Sequence, residues 1–145
     1  MEKHNNNIAF GILQIVTEEF AMLPEPPKEI ETFKIHHELF FGLGKEQKRI
    51  QVRKYARFEK EDGNPFMVIA VACTFEIQPE SWSMLASPDS DTLVVPRDFA
   101  IHLAMVTVGT LRGVLHAKTE NTPYNRFLFP PLNVVALVPE VLSFD

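Results

Sequence analysis

Four β-type runs in the first half of the chain, followed by one long and almost uncharged helical run, predict an α+β fold. Isoleucine, valine and phenylalanine fill the first half, turn residues such as Asp62-Gly63 punctuate it, and apolar residues recur at helical spacing from Pro96 to Lys118.

The first run spans Ile8 to Met22, with Phe10, Ile12, Gln14 and Val16 on one parity and Gly11, Leu13 and Ile15 on the other, so both faces are apolar in its middle. Leu23-Pro24-Glu25-Pro26-Pro27 cannot continue a central strand, because proline donates no ladder hydrogen bond; a long crossing connection is expected there. Thr32–Leu43, Arg49–Lys60 and Asn64–Gln78 are the next strands, forming a meander whose hairpins take their positive-φ residues from Gly42-Leu43-Gly44 and Asp62-Gly63. In the last of them Met67, Ile69, Val71, Cys73, Phe75 and Ile77 share one parity, and Phe66, Val68, Ala70 and Ala72 make the other parity apolar too. That strand is expected to be covered on both faces or to meet a partner.

Residues 79–95 combine prolines, serines and aspartates with Trp82, Met84, Leu85 and Leu93, which describes a loop with apolar side chains. Pro96 suits the first turn of a helix, Asp98 complements its positive end, and the run to Lys118 would be about 33 Å long. At 100° per residue, Ala100, Ala104, Thr107, Leu111 and Leu115 form one stripe. His102, Met105, Val106, Gly109, Gly113 and His116 form the opposite one, and a helix with two such faces has two neighbours. Gly109 and Gly113, one turn apart, weaken an isolated helix and are expected to admit another backbone closely. Asn133 can cap a short last helix, which Pro139 interrupts.

At 145 residues the chain is expected to form one domain over 8–145, after a frayed polar start at 1–7, and to bury roughly two-thirds of its unfolded surface. A net charge of −5 argues against a protein that neutralises many phosphates, so nucleic acid is not an expected partner. The single Cys73 can form no internal disulfide, and the longest nearly apolar run, Phe66 to Phe75, is too short to span a bilayer; a cytoplasmic protein without membrane insertion is expected.

Catalytic groups do not converge anywhere in the sequence. His36 and His37 are adjacent in a strand and point to opposite faces, and His102 and His116 would stand about 21 Å apart on the helix, so no metal site is expected. Cys73 lies inside an apolar strand, the serines of the loop lack a nucleophile elbow, and no glycine-rich phosphate cradle is present. Neither an enzyme nor a cofactor is required. What stands out is apolar surface, including 12 phenylalanines, in excess of what a single-layer sheet with few helices covers; it implies oligomerisation, client binding or both.

The chain resembles the SecB-type protein-export chaperones. Phe10, Ile12, Ile15 and Thr17 are similar to the family's first strand, Ala72-Cys73-Thr74-Phe75-Glu76-Ile77 to the end of its fourth, and Val94-Val95-Pro96 with Phe99-Ala100 to the start of its long helix. Arg112-Gly113 and Phe127-Leu128-Phe129-Pro130-Pro131-Leu132-Asn133 resemble the segment ahead of its last helix, so that the likeness spans residues 8–138 in order. The resemblance implies a four-stranded antiparallel sheet with a crossover after strand one, one long helix and a short C-terminal helix. It further implies a homotetramer, a dimer of dimers packed through the long helix, and ATP-independent holding of unfolded polypeptide clients in protein export. By that likeness Phe40, Phe75, Trp82, Met84, Leu85, Leu93 and Phe129 are the client-binding residues, and His102, Met105, Val106, Gly109, Gly113 and His116 the oligomer interface. Export members offer an acidic patch to the SecA motor. Glu19 matches one of its positions, but Leu23 and Val68 or Ile69 stand at the others, so a stand-alone or toxin–antitoxin-associated chaperone is the rival setting and a non-chaperone adaptor the alternative class.

Overall fold

A computed structural model describes residues 8–27, 32–86 and 92–144; the start expected to fray, 1–7, lies outside the described residues. Strands β1 (Phe10–Met22), β2 (Lys34–Gly44), β3 (Arg49–Glu59) and β4 (Pro65–Ile77) form one antiparallel sheet in the order β1-β4-β3-β2. The last three make the expected meander. Because β1 pairs with β4 rather than with β2, the proline-bearing connection must cross the sheet end, and it is anchored there: Leu23 N–H donates to the Phe66 carbonyl (3.1 Å), and the Tyr124 hydroxyl donates to the Leu23 carbonyl (2.8 Å).

The two hairpins differ from each other. At the second, Gly63 adopts φ +90° and the Asp62 carboxylate accepts from the Asn64 N–H at 3.0 Å, a local bond that stands in for a ladder bond. At the first, the expected use of Gly42 and Gly44 is not seen. Both glycines are still paired, Gly44 with Arg49, so the turn falls on Lys45–Lys48 and the positive φ is carried by Lys48 at 60°.

One face of the sheet is covered. Ile50, Val52, Ala56 and Phe58 of β3 and the odd-numbered residues of β4 from Met67 to Ile77 are buried there beneath helix α2 (Arg97–Thr119). A register shift beside Glu59 leaves Phe66 as an extra residue, and it too is buried, stacked into a ring cluster with Phe33, Phe58, Tyr124 and Phe127 (Phe66–Phe127 centroids 4.8 Å apart). The opposite face has no element on it among the described residues. There Ala70 and Ala72 are buried by position alone, as small residues flanked by long β3 side chains, Tyr55 and Arg53. Strand β1 is a sheet edge, and Ile12, Leu13, Ile15 and Val16 are exposed on its two faces; bulges at Leu13 and Glu18 interrupt its pairing.

Helix α2 lays the expected stripe of Ala100, Ala104, Thr107, Leu111 and Leu115 on the sheet, with Leu103 and Val108 filling between. Thr107 is accommodated in that apolar contact because its hydroxyl donates back to the Leu103 carbonyl at 2.9 Å. Among the described residues α2 is the one helix long and apolar enough to cross a bilayer, and here it is the cover of the sheet. The apolar 79–95 segment begins with a single helical turn, α1 (Pro79–Trp82), which buries Trp82, and ends in β5 (Leu93–Val95). The short last helix expected after Asn133 is one 3-10 turn, Val134–Leu137; beyond it the chain runs into β6 (Leu142–Phe144), which pairs with β5. Pro139 removes the N–H that another helical turn would use.

Between α2 and that turn, after a 3-10 turn at Pro123–Arg126, Phe127–Leu132 is extended and carries Pro130 and Pro131, so it cannot bond as a strand. Its carbonyls are taken by the helix instead. The Arg112 guanidinium donates to the Phe129 carbonyl (3.0 Å) and the Pro130 carbonyl (3.1 Å), and Arg97 does the same for Val135 (2.7 Å), Val138 (3.1 Å) and Pro139 (3.2 Å).

A methyl group added at Gly109 would meet nothing within 4 Å. Gly109→Ala is therefore expected to raise the unfolding free energy of the isolated chain by about 1 kcal/mol, the helix-propensity difference, as measured by urea titration under dissociating conditions.

Candidate functional site

The arginine clasp holds Phe127–Leu132 above the sheet but short of closing onto β2. The gap is a groove of about 360 Å³ lined by Ile35 and His37 from β2, by Phe33 just before it, and by Leu128, Phe129, Pro130 and Leu132 from the segment. Its walls are mainly apolar, and Leu128 is 57% exposed on its rim. Ile35 and His37 are alternate residues of β2 and so share one side of the strand, and Phe33 continues the alternation just before it.

Under the groove lies a charge. Lys54, in the centre of β3, turns to the helix-covered face with Val52 and Ala56 and has no exposed surface at all. Its Nζ lies 2.7 Å from His37 Nδ1 and 5.7 Å from the centre of the Phe129 ring. The Arg112 guanidinium lies 5.9 Å from that ring centre, so two cations use one aromatic side chain. Burial pulls the Lys54 ammonium down to about 8, partly offset by the field of Glu38. The same burial, then the neighbouring Lys54 and His36, lowers the pKa of His37, which is neutral at pH 7. An ammonium has no lone pair, so Lys54 is the donor to Nδ1 and the imidazole proton sits on Nε2.

The residues singled out from the sequence do not share one surface. Phe75 is wholly buried in the core under α2; Trp82, Leu85 and Leu93 are buried around α1 and β5; Met84 is exposed beside them. Phe129 alone lines the groove, with its ring buried. Phe40, 45% exposed, is on the uncovered face, where the Arg53 guanidinium lies over its ring. Phe33, Ile35, His37, Leu128, Pro130 and Leu132 are binding candidates that the sequence reading does not include, although the alternation Phe33, Ile35, His37 signals one face of a strand. Lys54 had a signal too, as the one charged member of the parity Ile50, Val52, Lys54, Ala56, Phe58.

On α2, His102, Met105, Gly109, Gly113 and His116 are exposed and Val106 is half-buried; Met105 is 56% exposed, and among the described residues nothing would lie within 4 Å of a methyl group added at either glycine. Glu19 is exposed on β1 opposite Ala70, on the uncovered face. The charge beside it is basic: β3 sets Arg49, Arg53 and Arg57 along this face, Arg53 pairing with Glu18 and Arg57 with Glu59 at 2.6 Å.

No family model matches this chain, and no curated protein matches its sequence. Among solved structures the fold is similar to that of a SecB-like chaperone of Mycobacterium tuberculosis, Rv1957, in complex with a ChAD peptide from the Rv1956 HigA1 antitoxin. The TM-score is 0.52 at 12% identity, covering 86% of this chain and 90% of that one. A protein of unknown function from Streptococcus agalactiae also aligns, at 12% identity over 86% of this chain and 98% of that one, with a TM-score of 0.39.

The buried lysine makes a pH prediction. An unfolded lysine keeps its proton to about 10.5, whereas Lys54 in the fold loses it near 8, so between those values the unfolded chain binds the extra proton and stability rises with pH. Urea titrations from pH 7.5 to 10.5 should show a contribution that climbs through this window in the wild type and is absent in Lys54→Met.

Proposed function

We propose that this chain is an ATP-independent holdase of SecB type that binds unfolded polypeptide in the groove between β2 and the Phe127–Leu132 segment. The observation that carries the proposal is the groove itself: an open apolar trough with one sheet edge beside it, wide enough for side chains of an extended segment. The likeness in fold to a chaperone solved with a bound peptide supports the same use. Apolar burial contributes roughly 25 cal/mol per Å², so contacts spread along a non-native chain give affinity without reading its sequence and without nucleotide.

Two further exposed surfaces support assembly into a tetramer. The α2 stripe is exposed at Met105, Gly109 and Gly113 between His102, which meets the Phe10 ring, and His116, which meets Asn125, and its glycines allow a second helix to approach at short range. Strand β1 adds an unpaired edge with apolar side chains on both faces. Among settings for the holdase, a stand-alone or toxin–antitoxin-associated role is favoured over handover to SecA. Of the positions where export members carry an acidic patch Glu19 alone matches, Leu23 and Val68 or Ile69 standing at the others, and the nearby Glu18 is engaged by Arg53.

At near-stoichiometric tetramer the protein is expected to slow aggregation of several unrelated denatured proteins, followed by light scattering at 360 nm; protection of none of them would leave only the adaptor alternative. Gly109→Leu puts a branched side chain where the second helix would lie and is expected to halve the mass read by multi-angle light scattering, from tetramer to dimer. An unchanged mass removes the helix stripe from the interface.

A further inference from the structure

The Lys54–His37 pair is costly for the fold and is not needed to fill the core, since methionine or leucine would occupy the same space without a charge. No carboxylate pairs with Lys54 among the described residues. The acidic group whose field reaches it, Glu38, points to the uncovered face and bonds His36 at 3.2 Å. Lys54 reaches the groove only through His37, the one polar side chain in a wall otherwise made of Phe33, Ile35, Leu128, Phe129, Pro130 and Leu132. That bond commits His37 to the tautomer with its proton on Nε2, a nitrogen with no partner among the described residues. Arg112, on the far side of the groove wall, adds a second fixed positive charge near Phe129.

We propose that the groove selects client segments in which an aspartate or glutamate side chain stands among apolar residues, its carboxylate accepting from His37 Nε2–H with the Lys54 ammonium behind the imidazole. The inference rests on the groove being the client site and adds a chemical preference to it. Lys54 acts by fixing the tautomer and supplying the field; His37 makes the contact. The carboxylate completes an ion pair that the chain leaves half-made, so the preference is for anionic segments although the whole chain is itself acidic. The commitment is to a side-chain carboxylate within a segment, because the groove opens alongside a strand and takes a passing chain as readily as an end.

The test uses fluorescence anisotropy with labelled apolar peptides, acetylated and amidated at their ends, that differ by one central residue, glutamate or glutamine. A third peptide carries the glutamine and a free C-terminal carboxylate. The wild type is expected to bind the glutamate peptide about tenfold more tightly than the glutamine peptide, the scale of one charge-assisted hydrogen bond. Lys54→Met and His37→Phe should bind the two peptides equally, and a circular-dichroism spectrum unchanged from the wild type shows that each variant is folded. Equal binding of both peptides by the wild type overturns the carboxylate preference and leaves the groove standing. A preference that persists in both variants overturns the assignment to this pair. A gain confined to the third peptide makes the chain end the occupant and overturns the side-chain version. Loss of all peptide binding in the wild type takes away the groove as client site, and this inference with it.

Discussion

The hold of Arg112 on two consecutive carbonyls, those of Phe129 and Pro130, determines what this fold can offer a ligand. An extended apolar segment lying beside an open sheet edge would ordinarily pair with it and close the structure. Pro130 and Pro131 have no N–H to give, and the helix takes the carbonyls, so the segment is held above the sheet as a wall. Both halves of the device are necessary. Without the prolines the segment could become a fifth strand, and without the guanidinium its carbonyls would need water and its position would be undefined.

A second constraint is that one helix covers one face of four strands. The uncovered face, the β1 edge and the outer side of α2 are then left to solvent or to other molecules. Each is treated differently by the sequence. The uncovered face is populated by Arg49, Arg53, Arg57, Glu18 and Glu59, with Arg53 paired to Glu18 of β1 and Arg57 to Glu59 of its own strand, a surface compatible with water. The β1 edge and the α2 stripe are apolar or glycine-bearing, compositions that water disfavours and that a second copy can cover.

Most of the architecture was legible in periodicity and punctuation. The Pro24–Pro27 run announced the crossover, Asp62-Gly63 the second hairpin, and the stripe from Ala100 to Leu115 the buried side of the helix. Gly42 and Gly44 misled because glycine is tolerated in an edge strand such as β2, and Lys48 can take a left-handed conformation that its sequence does not advertise. The small β5–β6 sheet was invisible because three-residue strands have no period to detect. The site was less legible than the fold. A groove is the space between two elements that are distant in sequence, here β2 and the segment after α2, and the contacts that hold it open run from side chains to backbone carbonyls, which no pattern of residue types records. Phenylalanine content pointed to apolar excess but could not distinguish Phe75, sealed in the core, from Phe129 at the groove.

The placement of Trp82 has a practical corollary. It is the chain's one tryptophan, buried in the same core cluster as Leu85, Leu93 and Phe99. An indole so enclosed emits toward the blue, and emission shifts to the red once water reaches it. The molecule thus carries a built-in optical gauge of whether that corner is shut or has been prised apart, readable in a cuvette without attaching a dye.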